Sequence, residues 1–250
     1  MTTPSQDWFS PIAQQYRQFR PHYPAGLFAY LASVAPAHER AWDCGAGNGQ
    51  AAVGLADHFQ QVVATDISAE QIRLAFANPK IGYHVGAAES CFLPASSVDL
   101  VTVGEALHWF DLGRFGREVA RVLRPSGKLA VWNYRRCRIT PALDGIIDAF
   151  HDEVLAGHWA AAALHDDVFA HELPLVDTIT PDFVIVAEWP LVSFMGYLGS
   201  WSACASYQRR HGHSPLDLIA SELQKLWLTS GDRMRISWQL NLRVGVVPGS

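Results

Sequence analysis

Asp43-Cys44-Gly45-Ala46-Gly47-Asn48-Gly49 is a D-x-G-x-G-x-G run, and its neighbours decide the fold. Ala41-Trp42-Asp43-Cys44 reads as a buried strand that ends in this loop, and a helical pattern follows from about Gln50 to His58. Alternating glycines let the backbone turn sharply and let a ligand lie against it with no Cβ in the way. The helix N-terminus behind them offers free N–H groups and the positive end of its dipole. Seventeen residues after Gly49, Asp66 closes the next strand, where a carboxylate can accept both hydroxyls of a ribose. The dinucleotide fingerprint G-x-G-x-x-G places its third glycine one position later than Gly49. That spacing, with the acidic Asp43 ahead of the loop, ranks a nicotinamide oxidoreductase last among the ligand classes that use such a turn.

Outward from the loop, short apolar runs alternate with helical segments. Gln61 to Thr65, Ile81 to Gly86 and Val98 to Val103 read as further strands, the last entered through Pro94-Ala95-Ser96-Ser97. Ser68 is placed to cap a helix, with Gln71 in the capping-box position. A helix from about Leu112 to Leu123 stops at a turn, Arg124-Pro125-Ser126-Gly127, and Lys128 to Tyr134 is the fifth strand. Strands and helices in this alternation imply a parallel sheet covered on both faces. Ahead of it, Phe9 to Arg20 and Ala25 to Val34 are amphipathic, separated by Pro21-His22-Tyr23-Pro24. Beyond Tyr134, Thr140 to Leu155 reads as helix, Phe183 to Leu191 as strand, and Ser193 to Ala205 and Pro215 to Thr229 as helical again. Ala156 to Leu175 is rich in His and Ala and carries no clear pattern, whereas Arg235 to Val244 alternates as a strand with one exposed face does.

Composition bounds the function. The chain has 250 residues, 19 Lys+Arg against 24 Asp+Glu, and a formal charge of −5, with a pI of about 6.1. A protein built to grip nucleic-acid backbone or an anionic membrane needs a basic face, and this balance argues against both partners. Hydrophobic residues make up 49% and charged residues 17%, so the chain has the material for a core and does not read as disordered. Nine tryptophans fit a generous core or an aromatic-lined pocket for a small molecule. The first residues show no basic start before an apolar run, and no stretch of eighteen apolar residues occurs, which predicts neither a secretory signal nor a membrane span. Cys44, Cys91, Cys137 and Cys204 are scattered, which suits free thiols and a cytoplasmic setting. His158, His165, Asp166 and His171 match no metal-ligand spacing, so no metal is expected.

With these segments in place, the chain resembles the class I S-adenosylmethionine-dependent methyltransferases, in particular the type-11 group that includes the trans-aconitate methyltransferases. Six blocks carry the resemblance in order. Besides the glycine loop they are Tyr16 with Arg20-Pro21-His22-Tyr23-Pro24, Ala88-Glu89, the block Glu105-Ala106-Leu107-His108-Trp109-Phe110-Asp111, Leu123-Arg124-Pro125-Ser126-Gly127-Lys128, and Tyr197-Leu198-Gly199-Ser200-Trp201-Ser202-Ala203. The resemblance implies a Rossmann-like α/β fold: a seven-stranded, mostly parallel sheet with helices on both faces, the last strand antiparallel, plus a helical cap. It implies a single methyltransferase domain over residues 1–250. Residues 1–36 form N-terminal cap helices, 37–135 the cofactor-binding core, and 136–250 a C-terminal half with a cap insertion at about 191–231.

Position by position, the resemblance also implies a site. Gly45, Ala46, Gly47 and Gly49 line the methionine and ribose of S-adenosylmethionine, with Asp43 ordering the loop. Asp66 holds the ribose hydroxyls, Ile67 flanks the adenine, and Ala88 and Glu89 sit at its edge. Gly104 and Glu105 face the methionyl group, over which Tyr16 and Arg20 close. Ala87 stands where many relatives carry Asp, so side-chain recognition of the adenine amine is weaker or falls to Glu89.

The cofactor carries an activated methyl group, so positioning is the protein's main task. A carboxylate acceptor needs no base; a phenol, amine or carbon acid does, and His108 is the candidate. Gly104-Glu105-Ala106-Leu107 stands where amide- and adenine-methylating enzymes carry N/D-P-P-Y, which points away from DNA and protein amides. The leading expectation is O-methylation of a small carboxylate, with His108, Trp109, Tyr134, Trp201 and Tyr207 around the substrate. A C- or N-methyltransferase acting on a quinone-like or amine metabolite, and a non-catalytic cofactor-binding regulatory protein, are the alternatives. Trp42 and Trp132 lie in strands and belong to the core, and Arg135-Arg136 with Arg138 reads as a solvated edge or a carboxylate receptor.

Overall fold

A computed structural model describes residues 19–160, 175–176 and 180–247. Tyr16 and most of the first amphipathic stretch lie outside them, as do His165, Asp166 and His171. Helix α1 (Ala25–Val34) precedes β1 (Arg40–Cys44), α2 (Gln50–Ala56), β2 (Gln61–Asp66), α3 (Ala69–Arg73), β3 (Ile81–Val85), β4 (Val98–Gly104), α4 (Leu112–Val122) and β5 (Leu123–Tyr134). The second half adds α5 (Pro141–Ala149), β6 (Phe183–Trp189), α6 (Leu191–Gly199), α7 (Ser202–His211), α8 (Ala220–Ser230) and β7 (Met234–Gly245). The seven strands form one sheet in the order β3-β2-β1-β4-β5-β7-β6. Strands β1 to β5 run parallel, and β7 pairs antiparallel with both β5 and β6. This is the mostly parallel sheet with an antiparallel last strand that the sequence predicts.

The central strands are apolar on both sides because helices cover both faces. Ala41, Leu100, Ala130 and Trp132 pack toward α1, α2 and the C-terminal helices. Trp42, Val101, Leu129 and Val131 pack toward Phe115, Val119 and Val122 of α4. Trp42 is fully buried and its indole Nε1 donates to Thr65 Oγ1 at 2.9 Å, joining β1 to β2. Trp238 of β7 likewise donates to the Tyr197 hydroxyl at 3.0 Å, fastening the sheet to α6. Every indole or phenol buried with a partner of this kind avoids the cost of a stranded polar group.

Ser68 caps α3 as predicted, accepting from Gln71 N at 3.3 Å, and the helix runs for five residues. The chain then returns to the glycine loop, where Phe76 N donates to Asn48 O at 3.1 Å and Tyr83 Oη donates to Phe76 O at 2.9 Å. One element differs from the sequence reading. The turn at Arg124–Gly127 is a bulge inside β5 rather than its boundary. Val98 pairs with Leu123 and Leu100 with Lys128, so the intervening residues loop out, with Ser126 at φ 68°.

The contact between α1 and α2 is tight enough to test. A Cβ added at Gly54 would lie 2.2 Å from the ring of Phe28, which is 5% exposed. Gly54→Ala is therefore expected to lower stability, because overpacking costs about 1–3 kcal/mol and outweighs the ~1 kcal/mol that alanine adds in a helix. A urea midpoint raised by the substitution would contradict this packing.

Candidate active site

The loop after β1 has Gly45, Gly47 and Gly49 at φ 68°, 55° and 88°, a left-handed conformation at every second residue that glycine adopts at little cost. The three are not equivalent. A Cβ at Gly45 would meet Ala106 Cβ at 2.5 Å, and one at Gly49 would meet the Tyr83 hydroxyl at 2.2 Å. At Gly47 the nearest atom is Gln71 Oε1 at 3.9 Å, so this is the open side of the loop. Asp66, at the end of β2, holds the loop from below. Its Oδ2 accepts from Gly47 N and its Oδ1 from Ser68 N, each at 2.8 Å. A carboxylate at the end of the second strand stands where ribose hydroxyls are held in sheets of this kind. Beside it Ile67 is 46% exposed, an apolar face at the carboxyl edge of the sheet.

Asp43 is placed differently from the sequence expectation. It is 1% exposed, and its Oδ1 accepts from the Thr102 hydroxyl at 2.8 Å, so it ties β1 to β4 rather than bonding the loop through its side chain. Its Oδ2 has no hydrogen-bond partner, and burial raises its pKa to about 7 against the opposing Thr102 bond. Asn48 Nδ2 and Gln71 Oε1 are also buried without partners. Buried polar atoms in a folded protein are nearly always satisfied, so three around one glycine loop fit a polar ligand seated there. S-adenosylmethionine matches this set: hydroxyls for Asp66, an apolar purine for Ile67, and a backbone cradle with room only at Gly47.

On the other side of the loop, β4 ends at Gly104, where a Cβ would strike the Trp132 ring at 2.8 Å. Glu105 follows at φ 59°, its N donating to Trp132 O at 2.9 Å and its Oε1 accepting from Tyr134 N at 2.5 Å. Burial pushes its carboxyl up to about 7, opposed by the Tyr134 N–H and the nearby Arg20 charge. Ala88 is buried, and Glu89 Oε1 accepts from Asp111 N at 2.9 Å, bracing the loop after β3 against the cap of α4. One oxygen of Glu89 is thus committed to the scaffold. His108 and Trp109 lie on a one-turn helix, ring centroids 4.9 Å apart. Desolvation lowers the His108 pKa to about 4, so its imidazole is neutral at neutral pH and a weaker base than its type suggests.

Glu105, His108 and Trp109 open into a cavity of about 930 Å³, at the carboxyl ends of β4 and β5 where open α/β sheets bind ligands. Arg20, Tyr134 and Trp201 also line it. Arg20 Nη1 donates to Tyr134 Oη at 2.6 Å and Nη2 to Ser200 O at 3.1 Å, linking the N-terminal segment to β5 and to the turn before α7. Tyr207 is a correction: it is absent from the lining, and its ring stacks on His211 at 4.2 Å and packs against His158. It sits on α7 six residues past Trp201, and the helical turn carries it to another face. The sequence reading missed Asn133, His151, Trp159 and Asn241, which also line the cavity. The signal for Asn133 and Asn241 was present as polar residues inside two apolar strands; Trp159 lay in the stretch without periodicity.

Two results are expected from the loop. Gly49→Ala and Gly45→Ala should lower the melting temperature through a clash with Tyr83 or Ala106, whereas Gly47→Ala should cost the fold only the left-handed penalty of about 1–2 kcal/mol yet weaken calorimetric S-adenosylmethionine binding, because its Cβ stands on the open, ligand-facing side; equal stability losses at all three, or unchanged binding in Gly47→Ala, would contradict the geometry. Asp43 has a folded-state pKa above its unfolded value, so it is stability-neutral below about 4 and costs progressively more as pH rises to about 7. Asp43→Asn should therefore gain stability over the native chain across that window in denaturant titrations at stepped pH, and a constant difference would refute a carboxylate whose charge is penalised by burial.

Comparison with known proteins agrees with this geometry. Residues 42–131, from β1 through β5, match a methyltransferase domain family. A Dictyostelium discoideum protein described as a methyltransferase is 32% identical over 230 residues, covering 90% of this chain and 88% of that one. An uncharacterized methyltransferase of Mycobacterium tuberculosis is 39% identical over 133 residues, 52% of this chain and 54% of its own length. Among solved structures, one described as a type II methyltransferase from Anaeromyxobacter dehalogenans superposes with a TM-score of 0.82 at 39% identity, covering 92% of this chain and 98% of that one. Sheet order, glycine loop and near-full-length similarity converge: the chain belongs to the class I, type-11 methyltransferases, with S-adenosylmethionine as methyl donor.

Proposed function

We propose that this methyltransferase esterifies a carboxylate of a small organic acid bound in the cavity between β4, β5 and the C-terminal helices. The observation that carries this reading is the charge of the lining: among the described residues, Arg20, Arg135, Arg136 and Arg138 stand against a single carboxylate, Glu105. The arginines divide in role. Arg136 is paired with Asp148 at 2.7 Å and Asp152 at 2.9 Å, and Arg138 with Asp148 at 2.9 Å, so these shape the wall. Arg135 instead donates its Nε to the neutral Asn241 Oδ1 at 3.1 Å, and Asn241 Nδ2 donates to Asn133 Oδ1 at 2.9 Å. Asn133 and Asn241 face each other across β5 and β7, so this ladder fixes the guanidinium plane. A guanidinium held at Nε keeps the bidentate fork of its Nη groups for a carboxylate. The reading of Arg135 as a carboxylate receptor is thereby favoured over that of a solvated edge.

The glycine loop, Asp66, Ile67, Ala88 and Gly104 hold the cofactor in this reading, and the cap is built by residue 20, α6 and α7. Bound S-adenosylmethionine supplies a methyl group already activated on a sulfonium, so the protein contributes orientation and exclusion of water, worth roughly 7–11 kcal/mol of barrier. A carboxylate is ionised at neutral pH and attacks without a base, which suits an imidazole at His108 held neutral and weakly basic. Glu105, raised to about 7 by burial, carries its full negative charge for only part of the time near neutral pH and so repels an incoming anion less than an ordinary glutamate does. The cavity, about 930 Å³ and lined in part by Tyr197 and Trp201, has the size of a small-molecule site, which suits a metabolite rather than a polymer.

Arg135→Gln should raise KM for acceptor acids about tenfold or more, the scale of one charge-assisted pair, while leaving S-adenosylmethionine affinity by calorimetry unchanged. Asn241→Leu should act in the same direction with a smaller effect. An unchanged KM in both variants would overturn the carboxylate reading.

A further inference from the structure

The lining also describes the body of the acceptor. Among the eighteen described lining residues, seven carry rings and four are arginines, and one alone, Val184, is aliphatic. Such a wall offers π faces and guanidinium planes but almost no alkyl surface. The rings are contiguous. Trp201 lies 5.7 Å from Trp159, 5.7 Å from His151 and 5.8 Å from Tyr197, centroid to centroid. His151 lies 4.6 Å from Trp159, and its Nδ1 is held by Asp152 Oδ1 at 2.7 Å. Asp152 also takes Arg136, so ring wall and arginine wall are braced by one carboxylate.

These distances are those of offset and edge-on aromatic packing, a geometry in which another planar ring gains more than its buried area alone accounts for. Guanidinium groups stack on the same faces. A saturated acid of equal size buries comparable area and gains neither term. We infer that the acceptor is an aromatic acid, an arene or fully conjugated carboxylate, and that Trp159 is the residue that selects it. Trp201 is 6% exposed and embedded against Phe150, so it is part of the core. Trp159 is only partly buried, at the end of the segment after α5, and presents its ring where the cavity can use it. This inference rests on the carboxylate reading above.

The test compares acids matched in carbon skeleton and charge but not in planarity: benzoate against cyclohexanecarboxylate, and 2-naphthoate against its decahydro counterpart. Methyl-ester formation is measured with the full chain and S-adenosylmethionine, and binding by calorimetry in the presence of S-adenosylhomocysteine. The planar member of at least one pair should be favoured by about tenfold in kcat/KM, and by a similar factor in Kd. Trp159→Leu should erase that preference mainly through KM, and Trp159→Phe should restore most of it, which a merely structural role at this position would not do. Esterification of both members at equal rates, or a preference that survives Trp159→Leu, overturns the aromatic inference and leaves the carboxylate reading standing. If no acid of either kind is bound or esterified, the carboxylate reading falls and the inference with it.

Discussion

One carboxylate organises the cofactor half of this molecule. Asp66 accepts from Gly47 N and from Ser68 N, both at 2.8 Å. It thus fixes the loop after β1 and the turn into α3 at once. A Cβ at either of the left-handed glycines flanking Gly47 would strike Ala106 or Tyr83, so the loop is closely packed on both sides. The ligand-facing side is left open at the one glycine where nothing approaches. Preorganisation of this kind is what a reaction with an already activated group requires, since the protein's contribution is placement.

The same economy governs the acceptor half. Strands β5 and β7 carry a paired Asn133–Asn241 rung where apolar residues would serve packing better. The rung orients Arg135, while Asp148 and Asp152 hold Arg136 and Arg138. Arg20 closes the circle by bonding Tyr134 of the sheet and Ser200 of the cap. In the proposed reading, charge comes from the scaffold and selectivity of shape from the ring-bearing segments that follow α5 and α6.

Much of this was legible in the chain. The strand–loop–helix alternation from Ala41 to Tyr134 gave the parallel sheet because both of its faces are buried and the apolar runs are continuous. The alternation from Arg235 to Val244 marked the antiparallel strand. Asp66 was legible from its distance to the glycines. What failed did so for tertiary reasons. Asp43 is read correctly as the end of a strand, but its partner, Thr102 across the sheet, is set by tertiary pairing. Tyr207 shares a motif neighbourhood with Trp201 yet faces away, since six residues along a helix is not a whole number of turns. Burial lowers the basicity of His108, which its residue type alone does not reveal.

The central claim is that methyl transfer occurs to a carboxylate oxygen in the arginine-lined cavity. Incubation of the full chain with methyl-labelled S-adenosylmethionine and a fractionated pool of organic acids, followed by alkaline treatment and mass identification, addresses it directly. The account predicts label on a small acid, released as methanol by mild base as an ester demands. Label recovered on a base-stable nitrogen or carbon centre would contradict it.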